Sequence, residues 1–245
     1  MNLAGRAEGT IYVDKVRDVR EGIVGTAGIL LDLATPFLAG VRNHWGIDKR
    51  TAECAFPGDD LIPAPRWSWT HGIEIGAPIE EVWPWIAQIG ADKGGFYSYQ
   101  WIENMVGCGI RNAETIHREW EVRKGDGMVL HPRMPKLPVA AVERGRWFVV
   151  HGAPDQHAKS EGRPWASVSW LFHLEPLPNG NTRFISRFRS DSSDEWRTLL
   201  QYGPYLTESV GFVMDRRMLL GVKERVERRR AEVIVTEQAE EHPAH

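Results

Sequence analysis

Hydrophobic and polar positions recur in two different periods along this chain, and the switches between them mark its elements. In GIVGTAGILLDLATPFLAG (residues 22–40) charge is nearly absent, and Ile23, Ala27, Leu30, Leu31, Ala34, Leu38 and Val41 return at spacings of three and four. That period predicts an amphipathic helix packed on a neighbour. The stretch is borderline in length for a membrane span, against which stand Pro36 and Asp32, the latter costing about 2.5–3.5 kcal/mol at a helix centre. Asp14, Asp18 and Glu21 lie where a signal peptide would be basic, so no cleaved leader is expected. Docking on a membrane or a partner through residues 22–40 is the alternative to packing.

A Pro/Gly-rich stretch, AFPGDDLIPAPRW, then predicts an extended connector, with a compact domain from Arg66 onward. Trp67 and Trp69, followed by Ile73 and Ile75 around Gly72, read as a strand with a bulge at the glycine. Pro78, Glu80 and Glu81 open a helix that Gly90 stops and Pro84 keeps short or kinked. Tyr97, Trp101 and Met105, four apart, predict a second short helix ending at Gly107.

Beyond residue 120 the period falls to two, and five strands are predicted: 128–132, 139–143, 146–151, 167–175 and 182–190. Asn179-Gly180 is a hairpin signal, so neighbouring strands pair antiparallel. Val168, Trp170, Phe172 and Leu174 share one face, with Ser167, Ser169, His173 and Glu175 on the other. Phe184, Ser186 and Phe188 likewise oppose Arg183, Arg187 and Arg189, which read as a solvated arginine row. A long helix opens at Pro204 with an apolar stripe through Val226, its polar face carrying Glu208 and Asp215. Gly211 and Gly221 inside it predict close approach by another element.

These elements divide the chain into an N-terminal helical extension and connector (1–65), a compact domain (66–232) and a frayed acidic tail (233–245). The fold class is α+β: a curved antiparallel sheet wrapped on one long helix, with two short helices. A net charge of −3 supplies no basic surplus, which sets nucleic acid aside as a partner. Cys54 and Cys108 are too few for a disulfide framework or zinc cluster and suit a cytoplasmic setting. The 11 tryptophans point either to a bulky core or to the walls of a ligand cavity.

HWGID (44–48), PGDDLIPAP (57–65), PIEEVWPWIAQIG (78–90), GGFYSYQWIEN (94–104), WLFHLEPL (170–177), TRFISRFR (182–189) and FVMDRRMLLGVKER (212–225) occur in this order. Together they resemble the START and polyketide-cyclase superfamily, SRPBCC, and within it bacterial members with an N-terminal extension. The likeness spans roughly residues 44–230. It implies a helix-grip fold around a deep apolar cavity for lipids, sterols, polyketides or other hydrophobic ligands. Members range from lipid carriers and hormone receptors to aromatase/cyclases and oxygenase subunits, so the fold alone leaves function open.

On this reading Tyr97, Tyr99 and Trp101 line or gate the cavity mouth behind Gly94 and Gly95, and Trp85, Trp147, Trp170, Phe172, Phe184, Met214 and Met218 line its interior. The alternative for the aromatic cluster is core packing with tyrosines at the rim. A cyclase/dehydratase-like enzyme would draw its proton-transfer groups from Tyr99, His131 and His151. No paired histidines with a carboxylate, HExxH, CxxC or Gly-rich phosphate loop occurs, so neither a metal nor a cofactor is expected.

Overall fold

The computed structural model describes residues 3–35, 38–204 and 206–241, with side chains for 19–35, 38–200, 202–204 and 207–236. Pro36 and the last four residues of the expected tail fall outside it. The N-terminal region holds α1 (Leu3–Ala34), α2 (Ala39–Arg42) and α3 (Lys49–Ala52). After β1 (Trp67–Ile75) come the short helices α4 (Ile79–Ala87) and α5 (Gln100–Met105). The strands β2 (Gly127–Met128), β3 (Leu137–Glu143) and β4 (Trp147–Gly152) follow, then α6 (Gln156–Ser160), β5 (Ala166–Pro176), β6 (Thr182–Ser192), α7 (Trp196–Tyr202) and α8 (Leu206–Glu241). The six strands form one curved antiparallel sheet in the order β1-β6-β5-β4-β3-β2, and α8 packs on it. The strand expected at 128–132 is confined to β2, because Met134 turns back to bond the His131 carbonyl. Helix α8 runs to Glu241, so much of the stretch read as a frayed tail is helical.

The inner face follows the alternation. Phe148, Phe172 and Phe184, one from each of three adjacent strands, stack with centroids 4.8 and 6.4 Å apart, and Met218, Leu219, Val222 and Val226 of α8 close over them. The expected bulge at Gly72 is absent: β1 pairs β6 in continuous register from Trp67↔Ser190 to Ile75↔Thr182. Trp67, Trp69, Ile73 and Ile75 are therefore in phase, and the residue completing the row is His71, fully buried. The sheet's irregularity lies instead between Val139 and Ala141. Both helix glycines are contact points, Gly211 against the Trp69 ring and Gly221 against the Tyr97 main chain. Glu208 and Asp215, assigned above to a solvated face, are buried; that side of α8 is covered by β1 and α1.

Helix α1 packs in the opposite sense to its pattern. Gly22 lies against Trp101, Gly25 against Tyr99 and Ile102, and Gly28 against Val213, while Asp32 turns inward toward Arg42 at 3.7 Å. The aliphatic stripe expected to pack, including Ile23, Leu30 and Leu31, faces outward. Following α1, HWGID caps the free edge of the sheet: the N–H groups of Thr70 and Gly72 donate to the carbonyls of Asn43 and Trp45, at 2.9 and 3.0 Å. Gly46, at φ 78°, passes so close to the Gly72 carbonyl that no side chain fits. This pairing removes an open strand edge, the feature that templates aggregation.

The connector lies on the outer face of the sheet. Phe56 packs with Val149, Leu171 and Ile185, and Gly58 rests on Val149. Arg187 is consequently buried, its Nε 2.8 Å from Asp59 Oδ1 and its Nη1 donating to the Ala52 carbonyl at 2.9 Å. Arg189 is buried beside it, bonded to the Ile62 and Pro63 carbonyls and 3.2 Å from Asp59. The two arginines are thus anchors for the connector rather than a solvated row. Removing one partner of a buried pair leaves a charge uncompensated at about 3–5 kcal/mol. Asp59→Ala should destabilise the chain by about 3 kcal/mol in urea unfolding and open residues 53–65 to proteolysis. A loss below about 1 kcal/mol would show that packing alone holds the connector.

Candidate functional site

The aromatic run 94–104 forms a junction. Tyr97 takes φ 56°, in the left-handed region that non-glycine residues rarely adopt, and its ring is buried. Gln88 Nε2 donates to the Tyr97 hydroxyl at 2.6 Å and to the Thr115 carbonyl at 3.1 Å, while its Oε1 accepts from the His117 N–H at 3.0 Å. Asn112 Oδ1 accepts from the Tyr97 N–H at 2.8 Å. Asn104 bonds both main-chain groups of Ile110, and Gln100 accepts from the Asn112 N–H. The polar residues of the run thus tie down loop 108–117. Burial drives the Tyr97 phenol well above the usual range, so it stays protonated.

The expected cavity-mouth residues go to separate places. Tyr97 is core and meets Trp85 edge to face, Tyr99 is buried beneath α1 with Ile102 and Val213, and Trp101 lies over Gly22 with 40% of its surface exposed. Phe172, Phe184 and Met218 fill the space between sheet and helix, and Met214 packs beside Tyr99's cluster. Trp147 stands on the outer face, its Nε1 donating to Glu143 Oε2 at 2.8 Å; the odd-numbered residues of β4 face the connector, not α8. His151 shares that outer face and meets Ser167 Oγ at 3.2 Å; burial lowers its basicity. Both nitrogens of His131 are engaged, by the Val106 carbonyl at 3.1 Å and the Arg133 N–H at 3.0 Å.

Fixing loop 108–117 shapes a groove of about 760 Å³ between α4, residues 116–121 and the C-terminal half of α8. Trp83, Trp85 and Trp120 contribute indoles, and Val226, Val233 and Ile234 an aliphatic wall. Trp120 stacks on His117 at 4.2 Å, and the Trp85 indole N–H is buried with no protein partner. Two rim arginines are neutralised, Arg144 by Glu121 at 2.6 Å and Arg230 by Glu81 at 3.0 Å. Arg118, Arg229 and Glu80 have no such partner among the described residues. An adjoining space of about 380 Å³ shares Trp85, Arg229 and Val233 and reaches Glu114, whose carboxyl, though raised by burial, is held below its usual range by Arg225 and Arg228.

A second polar constellation lies inside the grip. Trp170 Nε1 donates to Ser186 Oγ at 2.8 Å, Ser186 Oγ to Asp215 Oδ1 at 2.6 Å, and Asp215 Oδ2 lies 2.5 Å from His71 Nδ1. The imidazole stacks on Trp69 at 5.4 Å, and its Nε2 is buried without a partner. Nearby, Arg42 stands 3.7 Å from Asp32 and 3.8 Å from Glu208, and burial raises both carboxyls. Sequence reasoning passed over His71 and put Asp215 on the polar face of α8. Their signals were positional: His71 is in phase with Trp69 and Ile73, and Asp215 lies two turns before Val222 in the apolar stripe of α8. Outside both places, Glu103 is buried on α5, where its Oε1 accepts from Ser98 and its Oε2 has no partner. No group of three metal-ligating side chains occurs among the described residues.

No family model matches the chain, and no curated protein does. Solved structures similar to it include protein MLL2253 from Mesorhizobium loti, at 14% identity and a TM-score of 0.37 over 66% of this chain and 98% of that one. CalU16 from Micromonospora echinospora is similar at 15% identity and 0.29 over 65% and 83%, and the hypothetical protein jhp0584 from Helicobacter pylori at 10% and 0.42 over 69% and 94%.

Glu103 provides a check on the interior. Burial pushes its carboxyl up to about 7 from 4.5, opposed by Ser98. The folded state therefore keeps a proton that the unfolded state loses, so the stability this group contributes is fully present below about 4.5 and is lost as pH rises to about 7. The loss from this one group is on the order of 3 kcal/mol. Denaturant unfolding of Glu103→Gln across that window should lack this component; identical pH profiles would place the carboxyl in contact with water.

Proposed function

We infer that this chain is a helix-grip protein of the START and polyketide-cyclase kind that binds a small molecule with a flat apolar body and an acidic group, in the groove beside α8. One observation carries this reading: three indoles line the same groove as Arg118 and Arg229, two arginines without an ion-pair partner among the described residues. Its volume of about 760 Å³ lies within the roughly 300–1,000 Å³ of small-molecule sites. Indole faces supply rigid apolar area for a ring system or chain. A guanidinium binds a carboxylate through paired, charge-assisted hydrogen bonds. Glu80, also without a partner among the described residues, favours a hydroxyl or other donor on the ligand. Native mass spectrometry of the purified chain should reveal a co-purifying acid. With anilinonaphthalene sulfonate as probe, Trp120→Ala and Arg229→Ala should each weaken binding about tenfold, equivalent to about 1.4 kcal/mol. Unchanged affinity in both variants would remove the groove as the site.

A second reading, a cyclase- or dehydratase-like enzyme, is favoured by the His71–Asp215 pair. A carboxylate on Nδ1 fixes the tautomer and leaves Nε2 as the proton acceptor, an arrangement used in general base catalysis. Under this reading His71, not Tyr99, His131 or His151, moves the proton. His71→Gln would then abolish turnover of a poly-β-ketone thioester while leaving probe binding in the groove intact. Retained turnover would refute it.

A further inference from the structure

Helix α1 is built inside out. Its packing face is made of glycines, Gly22, Gly25 and Gly28, which let the rings of Trp101 and Tyr99 and the side chain of Val213 come up against its backbone. Its buried carboxylate, Asp32, points inward to Arg42. Apart from Ile29, which packs on the cluster of Tyr99, Ile102 and Val213, its described aliphatic residues point to solvent: Ile23 is 64% exposed, Val24 56%, Leu30 61% and Leu31 64%, and Ala27 and Leu33 are exposed with them. From Gly22 to Ala34 the outward face carries no charge, because Asp32 is the single ionisable residue of the stretch. In water a packed surface helix has the reverse arrangement, apolar in and charged out. Small residues at the helix contact, aliphatics outside and an acidic group turned to the interior is the arrangement that lipid selects, since hydrocarbon leaves no hydrophobic gain for packing and penalises outward charge.

We propose that the outward face of α1 docks on a lipid surface, the helix lying in the plane of the membrane interface. Spanning is not the mode: no described helix is long and apolar enough to cross a membrane, and only one side of α1 is free. Helix α5, which packs on α1, extends the patch with Trp101 beside Gly22 and with exposed Met105 and Val106. Tryptophan is enriched at the membrane–water boundary, where its ring is apolar and its N–H wet. A second copy of the chain is a poorer occupant. Between Gly22 and Ala34 the exposed side chains offer Thr26 alone as a polar partner, whereas a protein interface carries about one hydrogen bond per 100–200 Å². With no charge on the face between Gly22 and Ala34, insertion is driven by apolar burial and is insensitive to salt.

The test is flotation of the full chain with vesicles of pure phosphatidylcholine. The chain should rise with the vesicles equally well in low salt and in 0.5 M salt, a condition of about 4 Å screening length. Leu30→Glu/Leu31→Glu should reduce binding at least tenfold without changing the thermal midpoint, because both side chains are exposed in the folded protein. Trp120→Ala should float like the unmodified chain, which keeps this outcome separate from small-molecule binding in the groove. A wild-type chain that stays at the bottom of the gradient would overturn the proposal, as would a double variant that still floats. A vesicle-independent dimer dissolved by the same double variant, without flotation of the wild type, would overturn it in favour of a second copy.

Discussion

The contact between the main chain of Tyr97 and Gly221 is the constraint on which the C-terminal half of the molecule depends. A side chain at residue 221 would collide with the Tyr97 carbonyl, so α8 can lie this close to the aromatic junction at that turn because a glycine is there. Tyr97 in turn holds a left-handed conformation, which for a bulky residue persists only when its surroundings over-determine it. Asn112 on its N–H, Gln88 on its hydroxyl and Arg225 over its ring at 4.9 Å do so. The same Gln88 bonds residues 115 and 117, so the geometry of the helix contact passes directly into the wall of the groove.

Charge is buried on both faces of the sheet, with different completeness. On the outer face Arg187 and Arg189 spend their donors on Asp59, Thr70, the Ala52 carbonyl of α3 and two connector carbonyls, which is how a buried guanidinium becomes structural. On the inner face Arg42, Asp32 and Glu208 approach only to 3.7 and 3.8 Å, and each keeps an unpartnered atom. His71 Nε2 is unsatisfied in the same neighbourhood, so the outer face holds a closed ionic lock and the inner side a polar cluster whose hydrogen bonds are incomplete.

Asp32 also settles how α1 can be both apolar and anchored. Read along the chain, an acid in the middle of an uncharged stretch counts against contact with lipid. Turned toward Arg42, it carries no such penalty and contributes an ionic contact to the seam with α8. The glycines that weaken α1 as an isolated helix, by about 1 kcal/mol each relative to alanine, permit the close seam with α5.

The amino-acid sequence by itself determined the periods: a strand from Trp67 to Ile75, antiparallel pairs about Asn179-Gly180, a long helix with glycines marking contacts, and so the helix-grip arrangement. Alternation also assigned Phe172 and Phe184 to the inner face, since a period of two leaves each strand only two choices. It did not say what covers each face. Arg187 and Arg189 alternate like solvated residues and become buried only because the connector, remote in sequence, folds over them. The same limit hid Asp215, whose helical position fits either face until β1 brings His71 to it. Nor could periodicity orient α1, because a glycine face and an aliphatic face repeat at the same spacing, and the choice between them was made by the rings of Tyr99 and Trp101 and by Arg42. The groove required α4, loop 116–121 and α8 together, and no local pattern encodes the space between three elements.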